Sequence, residues 1–298
     1  MARPRAGHVL TPPEEAGKFA DMVSRIFKWM DFPFSGHLGG AWAGGLRGGL
    51  GAFICGAALW LVLGPVAAVG GSVVPNGTTQ LLLGVSDDWD DSHVVLRRFE
   101  RTREGWRQVG EPWQGRLGRE GSAWGLGLHP QRGLAGPRKR EGDRRAPAGV
   151  FRIAGAYGYA AADEVRLGRG LSYHQVGPRD MWVEDPDSPH YNRHIQAAGG
   201  RPLTEWEKKQ QMIQNDPVHA LKLFIEHNAA EEVVPGGGSA IFFHIWRDEG
   251  RRATAGCTTM SEAALRDLIA WVEPARQPVY VLLPREEFMR WRERWGLP

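Results

Sequence analysis

Cysteine is scarce in this chain: its 298 residues include two, Cys55 and Cys257. Cys55 lies inside an apolar run, whereas Cys257 sits in a polar, glycine-containing stretch near the C-terminus. If everything after the apolar run is exported, Cys257 has no intramolecular partner, which excludes a disulfide there and leaves a free thiol. Unpaired thiols are liabilities in an oxidising compartment, so one that is kept there is more often reactive than structural. Strong charge of either sign is also lacking. A formal net charge of +3, with no basic stripe interleaved with aromatics, argues against a nucleic-acid partner. No internal repeat, no low-complexity tract and no His-Glu-x-x-His zinc motif occurs.

Forty glycines, twenty prolines and thirteen tryptophans favour many short strands and tight turns over a helical bundle, so a β-rich fold (mainly β or α+β) is expected. From Gly48 to Ser86 there is no charged side chain, and Ala52 to Val69 is apolar almost throughout behind the basic Arg47. That length suits a secretory signal or one membrane-spanning helix, with Ala68-Val69-Gly70 offering small residues for cleavage. Either reading exports the rest of the chain and makes this segment the protein's one tie to a membrane. The expected organisation is a leader over 1–75 with the apolar segment at about 51–72, a catalytic domain over 78–285, and a tail over 286–298.

Alternation from about Thr79 predicts strands at Gln80–Val85, Val94–Phe99, Val150–Ile153, Leu221–Glu226, Ser239–Trp246 and Val279–Leu283. Gly115 to Gly149, rich in Gly, Arg and Pro, reads as a solvated loop. Pro202 to Asn215 reads as an inserted helix capped by Thr204. Thr259, with Glu262 three residues on, makes a capping-box pattern for a helix ending near Val272.

A thiol attacks a carbonyl carbon as thiolate, so it needs a nearby base, a cation or a helix N-terminus. The expected helix start at Thr259 supplies the last of these to Cys257, and His244, at the end of a strand entering the same loop, supplies the base. Gly256 lets backbone approach a substrate closely and offers an N–H to a developing oxyanion. The bland alternatives are a small buried cysteine and a core histidine among Phe242, Phe243 and Trp246.

The stretch Gly237-Gly238-Ser239-Ala240-Ile241-Phe242-Phe243-His244, followed by Thr254-Ala255-Gly256-Cys257, resembles the motif of L,D-transpeptidase catalytic domains of the YkuD type. There, a strand-borne histidine precedes a Ser/Thr-x-Gly-Cys turn. Similar to the same family, and in its order, are Glu141 to Phe151 (EGDRRAPAGVF), Trp182-Val183-Glu184-Asp185-Pro186 with Tyr191-Asn192, and Glu226-His227-Asn228. The resemblance covers roughly Gln80 to Pro284 and is closest to a divergent branch. Many members carry a histidine before the glycine and an arginine two residues beyond the cysteine, where this chain has Ala255 and Thr259.

The resemblance implies a β-sandwich or barrel in the cell envelope that acts on peptidoglycan stem peptides without metal or organic cofactor. Cys257 is the nucleophile, His244 the base and acid, and Gly256 an oxyanion donor. Tyr191, Asn192, Trp182 and Thr254 line the cleft, and His227 orients His244 or contacts the ligand. Amine acceptors give 3-3 cross-links; water gives an L,D-carboxypeptidase. Two other classes stay open. One is a metal peptidase using His174, His190, His194, His219 or His227; the other is a non-catalytic wall-binding protein whose tryptophans stack on sugars.

Overall fold

The computed structural model describes residues 72–298. Cys55 and the apolar run Ala52–Val69, with the expected signal or anchor, lie outside the described residues. Among the described residues no helix is long and apolar enough to cross a membrane.

Twelve strands run in chain order: β1 (Gln80–Ser86), β2 (His93–Thr102), β3 (Gly105–Arg116), β4 (Ser122–Trp124), β5 (Ala146–Gly158), β6 (Tyr173–Gln175), β7 (Asp180–Trp182), β8 (His194–Gln196), β9 (Leu221–Ile225), β10 (Phe242–Ile245), β11 (Thr258–Met260) and β12 (Val279–Pro284). They are joined by few α-helices: α1 (Glu205–Lys209), α2 (Glu262–Trp271) and α3 (Arg285–Trp295). The main sheet runs β12-β1-β2-β3-β11-β10-β9-β5, and an antiparallel pairing of β12 with β5 closes it into a barrel. β7 and β8 form a separate two-stranded ribbon.

Barrel closure on one side, with α3 and the Trp124 segment on the other, explains why β12 runs apolar without a polar face. On β12, Tyr280 and Leu282 join the core that holds Phe151, Leu223 and Phe243, while Val279, Val281 and Leu283 join a second core with Trp124 and Trp295. Both faces of such a strand are covered, so alternation selects between two apolar environments. α2 buries Ala264, Leu265, Leu268 and Ile269 in the first core and turns Arg266 and Asp267 to solvent.

Four local expectations are corrected. Residues 286–298 do not form a tail: Phe288, Trp291 and Trp295 recur at helical spacing along α3, and Trp295 is buried against Trp124. Gly115 to Gly149 is not merely a solvated loop, because β4 pairs with β5, and Trp124 and His129 are buried. The helix expected over 202–215 is only α1, although Thr204 and Glu207 do form its capping box. It ends early because Gln210 and Gln211 pair with β7; the Gln210 carbonyl accepts from the Trp182 N–H at 2.9 Å. Finally, Thr258–Met260 is drawn into β11 between β10 and β3, so the helix after it starts late, with Ser261 as its cap.

Candidate active site

The pairing of Thr258–Met260 as β11 changes the setting of the thiol. A strand, not a helix N-terminus, comes after Cys257, so the helix expected there does not present its dipole to the sulfur. Strand alternation determines its surroundings instead. Phe243 enters the barrel core with Leu223, its partner on β9; Phe242 and His244 therefore face the other side with Phe224 and Lys222, their own partners. Phe243 also pairs with Thr258 on β11, which sets Cys257 beside Phe242 on that outer face. Lys222, Phe242, His244 and Cys257 thus floor one cleft of about 410 Å3, with Trp182, Glu184 and His219 on its walls.

Cys257 is half-buried. Its Sγ accepts from the Phe242 N–H and donates to the Ala240 carbonyl, both at 3.4 Å. Burial pushes the thiol up to about 11, against the pull of the Phe242 N–H and the Lys222 ammonium. The resting species is a thiol, so attack needs a base. His244 is buried, and its Nδ1 lies 2.9 Å from the Ile245 carbonyl. With the proton on Nδ1 facing that acceptor, Nε2 is the basic nitrogen, and the Val218 carbonyl also lies against the ring. Burial holds this imidazole down to about 4, with the charges of Lys222 and Arg247 acting in the same direction. It is therefore neutral, and able to take a proton, at physiological pH. Among the described residues no hydrogen bond joins it to Cys257, although both line the cleft.

The turn that delivers Cys257 is built by its neighbours. Thr254 Oγ1 accepts from the Gly256 N–H at 3.0 Å and donates to the Cys257 carbonyl at 2.7 Å. Gly256 has φ of 150°, a region L-residues avoid. Its N–H is thus occupied by Thr254, contrary to the expectation that it serves an oxyanion, and Thr254 shapes the turn as well as lining the cleft.

Of the residues expected to line the cleft, Trp182 does so, packed against Phe224 and Phe242. Tyr191 and Asn192 are buried behind it. Tyr191 Oη donates to Glu141, a residue of the cleft wall, and accepts from the Gly238 N–H. Asn192 Oδ1 accepts from Trp182 Nε1 and the Ala240 N–H, while its Nδ2 donates to the carbonyls of His227 and Asn228. Asn192 therefore clamps Ala240, whose carbonyl receives the Cys257 thiol. Asn192→Ala strands a buried indole N–H and a backbone N–H, and at about 1–3 kcal/mol per unsatisfied group a loss of ~3 kcal/mol is expected. Urea unfolding checks this; an unchanged midpoint would show the clamp to be dispensable.

His227 neither orients His244 nor enters the cleft. It is buried, with Nδ1 accepting from the Leu126 N–H and Nε2 facing the Gly237 carbonyl, so both nitrogens serve the backbone. His174 and His194 converge with Asp180, their Nε2 atoms 2.9 and 2.8 Å from the same Oδ1, and these three could in principle hold a metal. That oxygen also accepts from Gln196, and Oδ2 accepts from the Gly177 N–H. Hydrogen bonds within the cluster account for the carboxylate. Sequence reasoning quoted Glu141 and Glu184 only inside family-like stretches, without a role, and missed Lys222, whose signal was a lysine inside the otherwise apolar strand Leu221–Ile225, all of it buried.

A family model of the L,D-transpeptidase catalytic domain, YkuD, matches residues 114–281, a stretch that contains His244, Cys257 and the three strands that carry the cleft floor. No curated protein and no solved structure matches the chain. With the family's domain spanning more than half of its length, the chain belongs to the L,D-transpeptidase (YkuD) catalytic-domain family.

Proposed function

We propose that this protein is an exported cysteine acyltransferase that works on peptidoglycan stem peptides and makes 3-3 cross-links through a thioester on Cys257. The observation that supports it most is the shared face of β9, β10 and β11, which brings a half-buried thiol and a buried, neutral imidazole into one cleft.

In this reading His244 Nε2 takes the thiol proton as Sγ attacks the carbonyl of the third stem residue. The oxyanion forms next to the Cys257 N–H, since the N–H of Gly256 is engaged. Collapse breaks the amide bond, and the leaving D-alanine amine takes the proton back from His244. A side-chain amine of a second stem then attacks the thioester carbonyl and releases the thiol. Family membership places such enzymes at the cell envelope, and the apolar run Ala52–Val69 is the proposed means of export or anchorage.

The test is incubation of the purified full chain with a tetrapeptide stem and an excess of tripeptide acceptor, followed by mass spectrometry. A cross-linked product with release of D-alanine is expected. Tripeptide acid alone would identify water as the acceptor and make the protein an L,D-carboxypeptidase. No release of D-alanine would leave the wall-binding reading.

A further inference from the structure

Lys222 is a buried cation that the mechanism above does not use. Its side chain lies on the cleft floor, opposite His244 across the β9–β10 ladder and on the same face as Cys257. Among the described residues its Nζ has no carboxylate within 4.0 Å; its partners are the Met212 carbonyl at 3.4 Å and the face of Phe242 at 5.5 Å from the ring centroid. Phe242 is also the residue whose N–H holds Sγ. A buried ammonium left this poorly compensated is costly, so one expects a function to retain it.

The other charges around the cleft are spoken for. Lys139 is paired with Asp143, Arg247 with Asp216 and Arg252 with Asp248, while Arg119 lies exposed at the rim. His219 and His244 are neutral, both held low by burial. Glu184 and Glu141 supply the negative side; Glu184 is pushed up by burial and by Glu141, and Glu141 is tied to Tyr191 and Ser239.

We propose that Lys222 is the fixed countercharge of the Cys257 thiolate, a positioning residue that holds its ammonium across the cleft floor so that the negative charge developing on Sγ, as His244 removes the proton and the carbonyl is attacked, is stabilised. It takes the place of the helix N-terminus that the strand after Cys257 denies to the sulfur. The ammonium keeps its proton throughout, and no bond to it forms or breaks. Electrostatics in such a half-dry cleft is screened far less than at the surface. Consistent with this, burial lowers Lys222 while Cys257 and Glu184 pull it back up.

The inference rests on Cys257 being the nucleophile, but its test needs no stem peptide. Iodoacetamide labelling of the full chain between pH 7 and 9.5, with the Cys257 peptide resolved from that of Cys55 by mass spectrometry after digestion, reads the thiolate fraction of Cys257. Lys222→Met should slow labelling at pH 8 about tenfold, equivalent to a rise of ~1 pKa unit, and Lys222→Arg should restore most of it. Labelling of Lys222→Met at the wild-type rate over that range overturns the proposal. Should the methionine variant not fold, Lys222→Gln in the same labelling decides, and a wild-type rate overturns the proposal equally. Failure of the stem-peptide reaction with a positive labelling result would count against the substrate and not against the countercharge.

Discussion

Cys257→Ala is expected to abolish D-alanine release from a tetrapeptide stem, and to remove the covalent adduct expected of the wild-type chain with that stem or with a carbapenem. The size of the effect comes from the role of the sulfur. Deleting the nucleophile of a covalent mechanism leaves only the contribution of binding and of oxyanion donors, and losses on the order of 10^4-fold or more are usual. The fold should survive, because the hydrogen bonds of Sγ, from the Phe242 N–H and to the Ala240 carbonyl, are weak, and a side chain one atom smaller strands one backbone N–H at most. Unfolding midpoints of variant and wild type within about 1 kcal/mol would therefore accompany the lost activity. Cys257→Ser is the sharper control. Its hydroxyl reproduces the geometry but is a far weaker acid, so no adduct is expected even after long incubation. Adduct formation on any other residue in these variants would end the case for Cys257.

Much of this site is readable in the sequence because local chemistry determines it. The strand-borne His244, the glycine-flanked Cys257 and the apolar strands around them are short-range patterns, and the barrel preserves each of them. Tyr191 and Asn192 show where such reading stops. Their identities fit the family motif, yet their role depends on which side of β10 they reach. Asn192 ends in hydrogen bonds to segments that lie 35 to 48 residues further along the chain. No local pattern encodes that. Lys222 fails in the opposite sense. A lysine in a short strand reads as a solvent-facing position, and only the segments packed over the outer face of β9, Met212 among them, make it a buried charge. The helix expected at Thr259 illustrates competition between signals: a genuine capping pattern lost to strand pairing on both sides, and Ser261 took the cap instead. The tail over 286–298 was legible in principle, since Phe288, Trp291 and Trp295 carry helical spacing, but its many charges mask that apolar stripe.

His244→Gln should lower kcat/KM by about 10^2- to 10^4-fold near pH 7, the range typical for loss of a general base, and the deficit should shrink as pH rises. The two groups together set that sign. In the proposed mechanism a neutral imidazole removes the proton from a thiol whose own ionisation lies at about 11, so thiolate need not be present in advance. Because burial holds His244 down to about 4, the wild-type rate is expected to fall only as pH drops through that value, where the imidazole becomes protonated and loses its lone pair. The glutamine variant has no base and must draw on the small fraction of thiolate formed by solvent. That fraction grows about tenfold per pH unit up to the thiol's pKa, so the ratio of wild-type to variant rates should contract by the same factor over each unit. Parallel profiles, with a ratio independent of pH from 6 to 9, would show that His244 positions the cysteine or the substrate without moving a proton. The Lys222 and His244 effects are then separable. Loss of the countercharge displaces the thiolate fraction and slows alkylation, whereas loss of the base acts on turnover and leaves the acid limb absent.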